Sequence, residues 1–462
     1  MAEATKPALV KDGTSDGAHF PNPKLRRASS AEYVESAIRE GILSGELQRG
    51  HRLTQDELAA QLGMSRIPVR EAMIALDREG WVQFESSRGA YVTGLEIDDV
   101  RDHYELRGLV LGLIAERTAE AIDDDGRADL AELGRDLRAA PDVTAFAATN
   151  DRILRRLIRT TNSSRLTAAL RVMPAIVPEG FFVYVSGARR IQERGIAEIL
   201  KAIAARDASV AGRAMRDLLR RQGAAVIKAF DGRGLMNDRA TVVESTWLRG
   251  DVGASADVVA ARVRQQIFEG SLQAGQRLPQ DDIANAVGVS RIPVREAIIA
   301  LEREGWVRVE PHRGAYVNAL DARVVLDHFT LYGLYFGFAA RRAIEHMTPD
   351  AELELDVLAQ TVSDTRTARD MERANTAYLQ LLLATAASNR LSVVLRSMTQ
   401  LVPGHFFTTV PGSVKLQRAG IPLMQKAIAA GDIEAANAAS IELQLRQAVA
   451  VGRVVKRRRT GP

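Results

Sequence analysis

The octapeptide SRIPVREA occurs twice in this chain, at Ser65–Ala72 and at Ser290–Ala297, 225 residues apart. Each copy lies inside a longer twin. GMSRIPVREAMIALDREGWVQ runs from Gly63 and GVSRIPVREAIIALEREGWVR from Gly288, with 17 of 21 positions identical. The offset persists beyond the twins without a gap. Gly45 pairs with Gly270, Trp81 with Trp306, Asp102 and His103 with Asp327 and His328, and Phe181 and Phe182 with Phe406 and Phe407. A period this long is not that of a solenoid. The chain is a duplicated unit, so one half must fold in the manner of the other.

Within the first unit, Val34, Ile38 and Ile42 recur every fourth residue and predict an amphipathic helix. Thr54 to Glu57 has capping-box form and opens a second helix. A third begins at Ser65, with Pro68 in its first turn, where a missing N–H costs little. Its buried stripe is Val69, Met73 and Leu76. Two short strands, over 81–85 and 90–92, flank a turn at 86–89. Helix, helix, helix, hairpin is the order of a winged helix-turn-helix. The second unit repeats it with Val259, Val263 and Ile267, then Val294, Ile298 and Leu301, but Pro279 replaces the capping Thr54. The remainder of each unit carries helical periodicity, over 99–121, 147–160, 164–172, 191–205 and 209–230 in the first. Six or seven helices in a bundle are expected.

The predicted fold is mainly α: two winged helix-turn-helix domains, each followed by an all-α helical-bundle domain. The boundaries read as a disordered arm 1–30, head 31–95, helical domain 96–229, linker 230–255, head 256–320, helical domain 321–453 and a basic tail 454–462. The length suits several domains, and 46% hydrophobic residues suffice for their cores. A net charge of +4 does not by itself argue for nucleic acid, so local clustering must carry that case. The absence of cysteine excludes disulfides and thiolate sites. No apolar run approaches the roughly 20 residues of a membrane span, and the start has no signal core. A cytoplasmic protein is expected, with no membrane partner.

Arg66 and Arg70 are four apart and share a helix face opposite Val69, Met73 and Leu76. That arrangement presents guanidinium forks to guanine edges in a major groove. Ser65 and the helix N-terminus can add phosphate contacts. Arg88 sits beside Gly89 at the hairpin tip, suited to a minor groove or a phosphate. Ser290, Arg291, Arg295 and Arg313 repeat the set, with His312 as a further donor. A solvated, ion-paired helix face is the competing reading for one such pair; its repetition in the same context favours double-stranded DNA.

These residues resemble the GntR family of bacterial transcription regulators, in the pattern SRxPVREAxxxLxxEGWV followed by RGxYV. The helical part resembles the effector domain of the FadR-type, or FCD, branch. The resemblance implies operator contacts from the eight head residues named above, dimers on short palindromes, and a small molecule that changes DNA affinity. Many FadR-type members place one Asp and three His around a metal that helps hold a carboxylate effector. Here the aligned positions are Asn150, Leu154, Ile196 and Leu218, and Asn375, Leu379, Ile421 and Leu443. Aliphatic side chains supply no metal donors, so no metal and no cofactor are expected.

Two readings of Leu154, Ile196 and Leu218 stand open. They fill a closed core, or they line an apolar pocket for a fatty, aromatic, terpenoid or acyl-CoA-like effector. Asn150, Asn375, Arg171 and Arg396 are the polar groups able to anchor a head group or satisfy internal hydrogen bonds. His103 and His328 read as helix-end surface, and Asp123–Asp125 as a solvated loop. An enzyme is not supported, because no catalytic constellation or phosphate loop is present. The expected function is a DNA-binding regulator, read as a repressor, with two heads per chain. It would act as an intramolecular pseudo-dimer or as a homodimer. A ligand-independent architectural DNA-binding protein is the alternative.

Overall fold

The computed structural model describes residues 30–78, 81–85, 89–93, 95–173, 181–232, 236–237, 255–310, 313–398 and 401–460. The arm 1–29, most of the linker, Arg88 and His312 lie outside them. The chain divides into two compact units, 1–96 with 229–238, and 97–228 with 239–462.

The first unit is the first head. It contains α1 (Ser30–Ser44), β1 (Arg52–Leu53), α2 (Gln55–Leu62), α3 (Arg66–Arg78), β2 (Val82–Glu85), β3 (Gly89–Val92) and β4 (Leu95–Glu96). The strands form an antiparallel sheet in the order β1-β3-β2. β4 pairs in parallel with β5 (Met236–Asn237), inside the expected linker. Thr54 caps α2 as its sequence predicts: its hydroxyl donates to Glu57 Oε2 at 2.7 Å and accepts from the Glu57 N–H. Gly63 closes the helix at φ 63°, a left-handed position that favours glycine. Val69, Met73 and Leu76 are buried behind α3 together with Trp81.

The second unit begins with seven helices: α4 (Ile97–Ala121), α5 (Asp124–Ala139), α6 (Val143–Thr161), α7 (Ser164–Val172), α8 (Phe181–Tyr184), α9 (Ala188–Ala204) and α10 (Ala208–Asp231, whose last turn belongs to the first unit). The second head follows, with α11 (Ser255–Glu269), α12 (Gln280–Val287), α13 (Arg291–Arg303), β6 (Val307–Glu310) and β7 (Gly314–Val317). Its helical domain has α14 (Ala322–Glu345), α15 (Pro349–Asp364), α16 (Ala368–Ala386), α17 (Asn389–Ser397), α18 (Phe406–Thr409), α19 (Ser413–Ala429) and α20 (Ile433–Thr460). Side-chain caps set many of the starts. Asp123, Asp142 and Ser163 accept from backbone N–H groups in the first bundle, and Asp321, Thr348, Thr367 and Ser388 in the second. The Asp123–Asp125 run is therefore the cap and first turn of α5 rather than a loop, because carboxylates suit the positive end of a helix.

The core of the second head continues into its own helical domain. Val259, Val263, Val294 and Leu301 join Val325 and Phe329 of α14 and Val451 and Val455 of α20 in one cluster. The segment 454–460 is accordingly the end of a helix anchored by Val455, with the Arg458 guanidinium 4.9 Å from the centre of the Phe268 ring.

The two helical domains pack through α4 and α14, with α7 against α14 and α17. Arg117 Nε donates to Asp327 Oδ1 at 2.9 Å, and Arg342 Nε lies 3.5 Å from Asp102 Oδ1. Adding 225 to Arg117 and Asp102 gives Arg342 and Asp327, so the two ion pairs are each other's counterparts. His103 and His328 are buried at this packing, 4% and 3% exposed, which corrects their reading as helix-end surface. α4 and α14 bury most of their length, and the faces that carry His103 and His328 are covered although Arg101 and Arg323 nearby are exposed. Desolvation holds both imidazoles well below the usual histidine range, hence neutral.

Candidate nucleic-acid interface and ligand cavity

In both heads the recognition helix turns its apolar side inward and its arginines outward. Arg66 and Arg70 are exposed on α3, as are Arg291 and Arg295 on α13. Arg66 Nε lies 2.6 Å from Asp56 Oδ1, and Arg291 Nε lies 2.7 Å from Asp281 Oδ1. Both pairs are more than half exposed, so each is weak and a nucleic acid can displace it. Ser65 is exposed; Ser290 sits at the N-cap of α13 and makes no capping hydrogen bond, leaving its hydroxyl for another partner. Arg313 is exposed at the β6–β7 turn beside Gly314, at φ 102°. Ile67 and Ile292, 70% and 68% exposed, stand between the arginines. Sequence reading passed over them because an apolar residue in a helix suggests core; exposed here, they suit a thymine methyl.

The first helical domain holds a half-open cavity of about 600 Å³, within the range of small-molecule sites. Asn150 and Leu154 of α6, Ile196 of α9 and Leu218 of α10 all line it. Leu218 is pressed against Gly195, where an added Cβ would lie 2.6 Å from Cδ1, so α9 and α10 cross closely. Asn150 Oδ1 accepts from Gln192 Nε2 at 2.6 Å, and Gln222 donates in turn to Gln192 Oε1. This amide chain supplies the polar edge of the cavity. Arg107 of α4 also lines it and donates to the Met173 carbonyl at the end of α7. Gln192, Gln222 and Arg107 were not singled out from sequence; only folding brings the three together.

Arg171 does not belong to the cavity. Its Nη1 donates to the Glu302 carbonyl of α13 at 3.2 Å, because α7 lies across the end of that helix and its outer face meets the second head. Arg165, on the same helix, donates to the Glu304 carbonyl at 2.7 Å and lies 4.4 Å from the centre of the Trp306 ring. Burial pushes the Arg165 pKa down to about 10. Arg264 holds the Glu304 carboxylate through two contacts, at 2.6 and 2.8 Å.

In the second helical domain, Asn375 Oδ1 accepts from Gln417 Nε2 at 2.6 Å, and Gln447 donates to Gln417 at 3.1 Å. Ile421 and Leu443 are buried and Leu379 half-buried. The Arg396 side chain lies outside the described residues.

Comparison with known proteins fixes the lineage. The family model for bacterial regulatory proteins of the gntR family matches residues 30–92 and again 255–317, and the FCD domain model matches 102–221. An uncharacterized HTH-type transcriptional regulator of Agrobacterium vitis is 33% identical over 33% of this chain and 92% of its own length. The chain belongs to the GntR family. Another such regulator, from Mycobacterium tuberculosis, is 31% identical over 34% of this chain, and the match spans 64% of that relative. The gluconate operon transcriptional repressor of Bacillus licheniformis is 26% identical, over 38% of this chain and 72% of its own.

By the resemblance to FadR-type members, a metal site would fall at positions 150, 154, 196 and 218. The cavity offers an amide and three aliphatic side chains there, a donor set that does not fit a divalent ion. Among the described residues, no three His, Cys, Asp or Glu side chains come together to hold a metal. No described helix is long and apolar enough to cross a membrane.

Proposed function

We propose that the chain is a DNA-binding transcription repressor whose two heads read the two half-sites of one palindromic operator. A single chain then acts as a pseudo-dimer, and a small apolar or acyl-type molecule in the helical part changes the DNA affinity. The observation that carries this reading is the duplicated recognition helix: Arg70 and Arg295 project from helices anchored behind by Val69 and Val294. Reciprocal ion pairs between α4 and α14 support the pseudo-dimer, since a two-fold interface joins residue i to j and j to i. Tethering both heads replaces subunit assembly with a high effective concentration.

Selection of binding sequences from random duplexes tests the reading. An inverted repeat should emerge, and Arg70→Ala and Arg295→Ala should each weaken binding to it by about 1–3 kcal/mol while relaxing base preference. Equal losses on unrelated DNA, or a selected pool with no repeat, would contradict it.

A further inference from the structure

We propose that copies of this chain join through two unlike surfaces: α15 of one copy lies in a groove between α5 and α9 of the next. The contact involves neither the recognition helices nor the ligand cavity.

A half-open groove of about 320 Å³ runs between α5 and α9. Leu130, Gly134 and Leu200 line its floor. A Cβ added at Gly134 would stand 2.8 Å from Leu200 Cδ1, so the glycine lets Leu200 lie directly on the α5 backbone. Arg135, Arg138 and Lys201 stand exposed on the rim, and among the described residues they form no ion pair. Of the acids on α5, Asp129 and Asp136 pair with Arg156 and Arg152 of α6, and neither they nor Glu132 lines the groove. An apolar floor beneath unpaired cations suits a helix whose outer face is acidic and partly apolar.

The duplicate of α5 is such a helix. In α15, Glu352, Gln360 and Ser363 replace Arg127, Arg135 and Arg138. α15 holds Asp350, Glu352, Glu354, Asp356 and Asp364 with no basic residue, and among the described residues none of these acids forms an ion pair. Leu353 and Val357, four apart on one face, are more than half exposed, where α5 has Ala128 and Glu132. The opposite face, with Leu355, Ala359 and Val362, is buried, and α15 packs on α16 and α19. In the second domain Gln425 takes the place of Leu200. It donates to Asp356 Oδ1 at 2.8 Å and accepts from the Tyr378 hydroxyl at 3.0 Å, so a polar link replaces the apolar floor.

The duplicated helices have thus diverged into complementary surfaces, one basic and grooved, the other acidic with an apolar pair. Leu353 and Val357 are exposed within their own chain, so the occupant of the groove is α15 of another copy. Because the two surfaces differ, the contact is heterologous and continues from chain to chain. One helix in a groove of this size is a small interface, so association is weak and favours chains already held close together, as on neighbouring operators.

Sedimentation of the full chain without DNA, at about 100 μM and low salt, tests the proposal. Species of more than two chains are expected, and they should disperse on dilution or with added salt. Arg138→Glu in the groove and Leu353→Lys on α15 should each weaken association at least about tenfold, by placing like charges opposite one another. Mixed in equal amounts, the two variants should form a two-chain complex and nothing longer. The first keeps its α15 and the second its groove, and their joining also shows that both are folded. Chains that stay single at that concentration would leave the groove to some other partner and overturn the proposal. Association that either variant leaves intact, or variants that fail to join on mixing, would overturn it too.

Discussion

Arg117 donates from Nε to Oδ1 of Asp327 at 2.9 Å, joining the first helical domain to the second. The counterpart pair, Arg342 and Asp102, is looser at 3.5 Å and leaves Asp102 Oδ1 without a hydrogen bond. The duplication thus produced an interface with two-fold logic but unequal halves. Both carboxylates are buried, with the Asp327 side chain 0% exposed and that of Asp102 1%.

Removing one partner of the tight pair should strand a buried carboxylate. Arg117→Met is expected to lower unfolding stability by about 3 kcal/mol, whereas Arg117→Met with Asp327→Leu should recover most of it. Urea unfolding measures both. A double variant no more stable than the single one would mean the pair contributes through its shape rather than its charge.

Asp102 gives the looser pair a pH dependence. Burial raises its pKa from 3.8 to about 6, against the lowering effect of Arg342. A carboxyl raised in this way stabilises the fold fully below its unfolded pKa, and that contribution fades as pH rises through about 6. Asp102→Asn cannot ionise. The stability of the variant relative to the parent should therefore improve by about 1 kcal/mol between pH 5 and pH 8. Thermal melts across that range decide the matter, and a constant difference would show that Asp102 does not titrate there.

Gly305 lies between a recognition helix and the first helical domain. It has φ 80°, and a Cβ added to it would stand 2.8 Å from the Ser164 carbonyl oxygen. Gly305→Ala should cost about 1–2 kcal/mol from backbone conformation alone. It should also push α7 away, loosening the Arg165 contacts to Glu304 and Trp306. Hydrogen exchange should then quicken in α7 and at the end of α13. Unchanged protection in α7 would indicate that this contact does not couple the two elements.

The parts of this architecture that were legible in sequence are the locally determined ones. The Thr54 cap, the buried stripe of α3 and the span of α7 each depend on neighbours a few residues away. Asp123 was missed as a cap because an acidic run also suits a loop; only the Gly126 N–H on its carboxylate tells them apart. His103 looked exposed because it lies near the start of α4, and the elements that cover that end come from distant parts of the chain. Arg107 carried no signal at all. Its meaning depends on Met173, 66 residues away, and on a cavity built from α6, α9 and α10. Arg171 was expected to anchor a ligand head group or satisfy an internal hydrogen bond, and its partner is the Glu302 carbonyl of the second head, 131 residues on.

The central claim is that one chain supplies both halves of a dimer. Sedimentation of the 50.4 kDa chain with a duplex holding a single inverted repeat tests it most directly. The account predicts a complex of one chain per duplex, formed without a two-chain intermediate as protein is added. A complex of two chains per duplex, with single chains failing to hold the site, would contradict it.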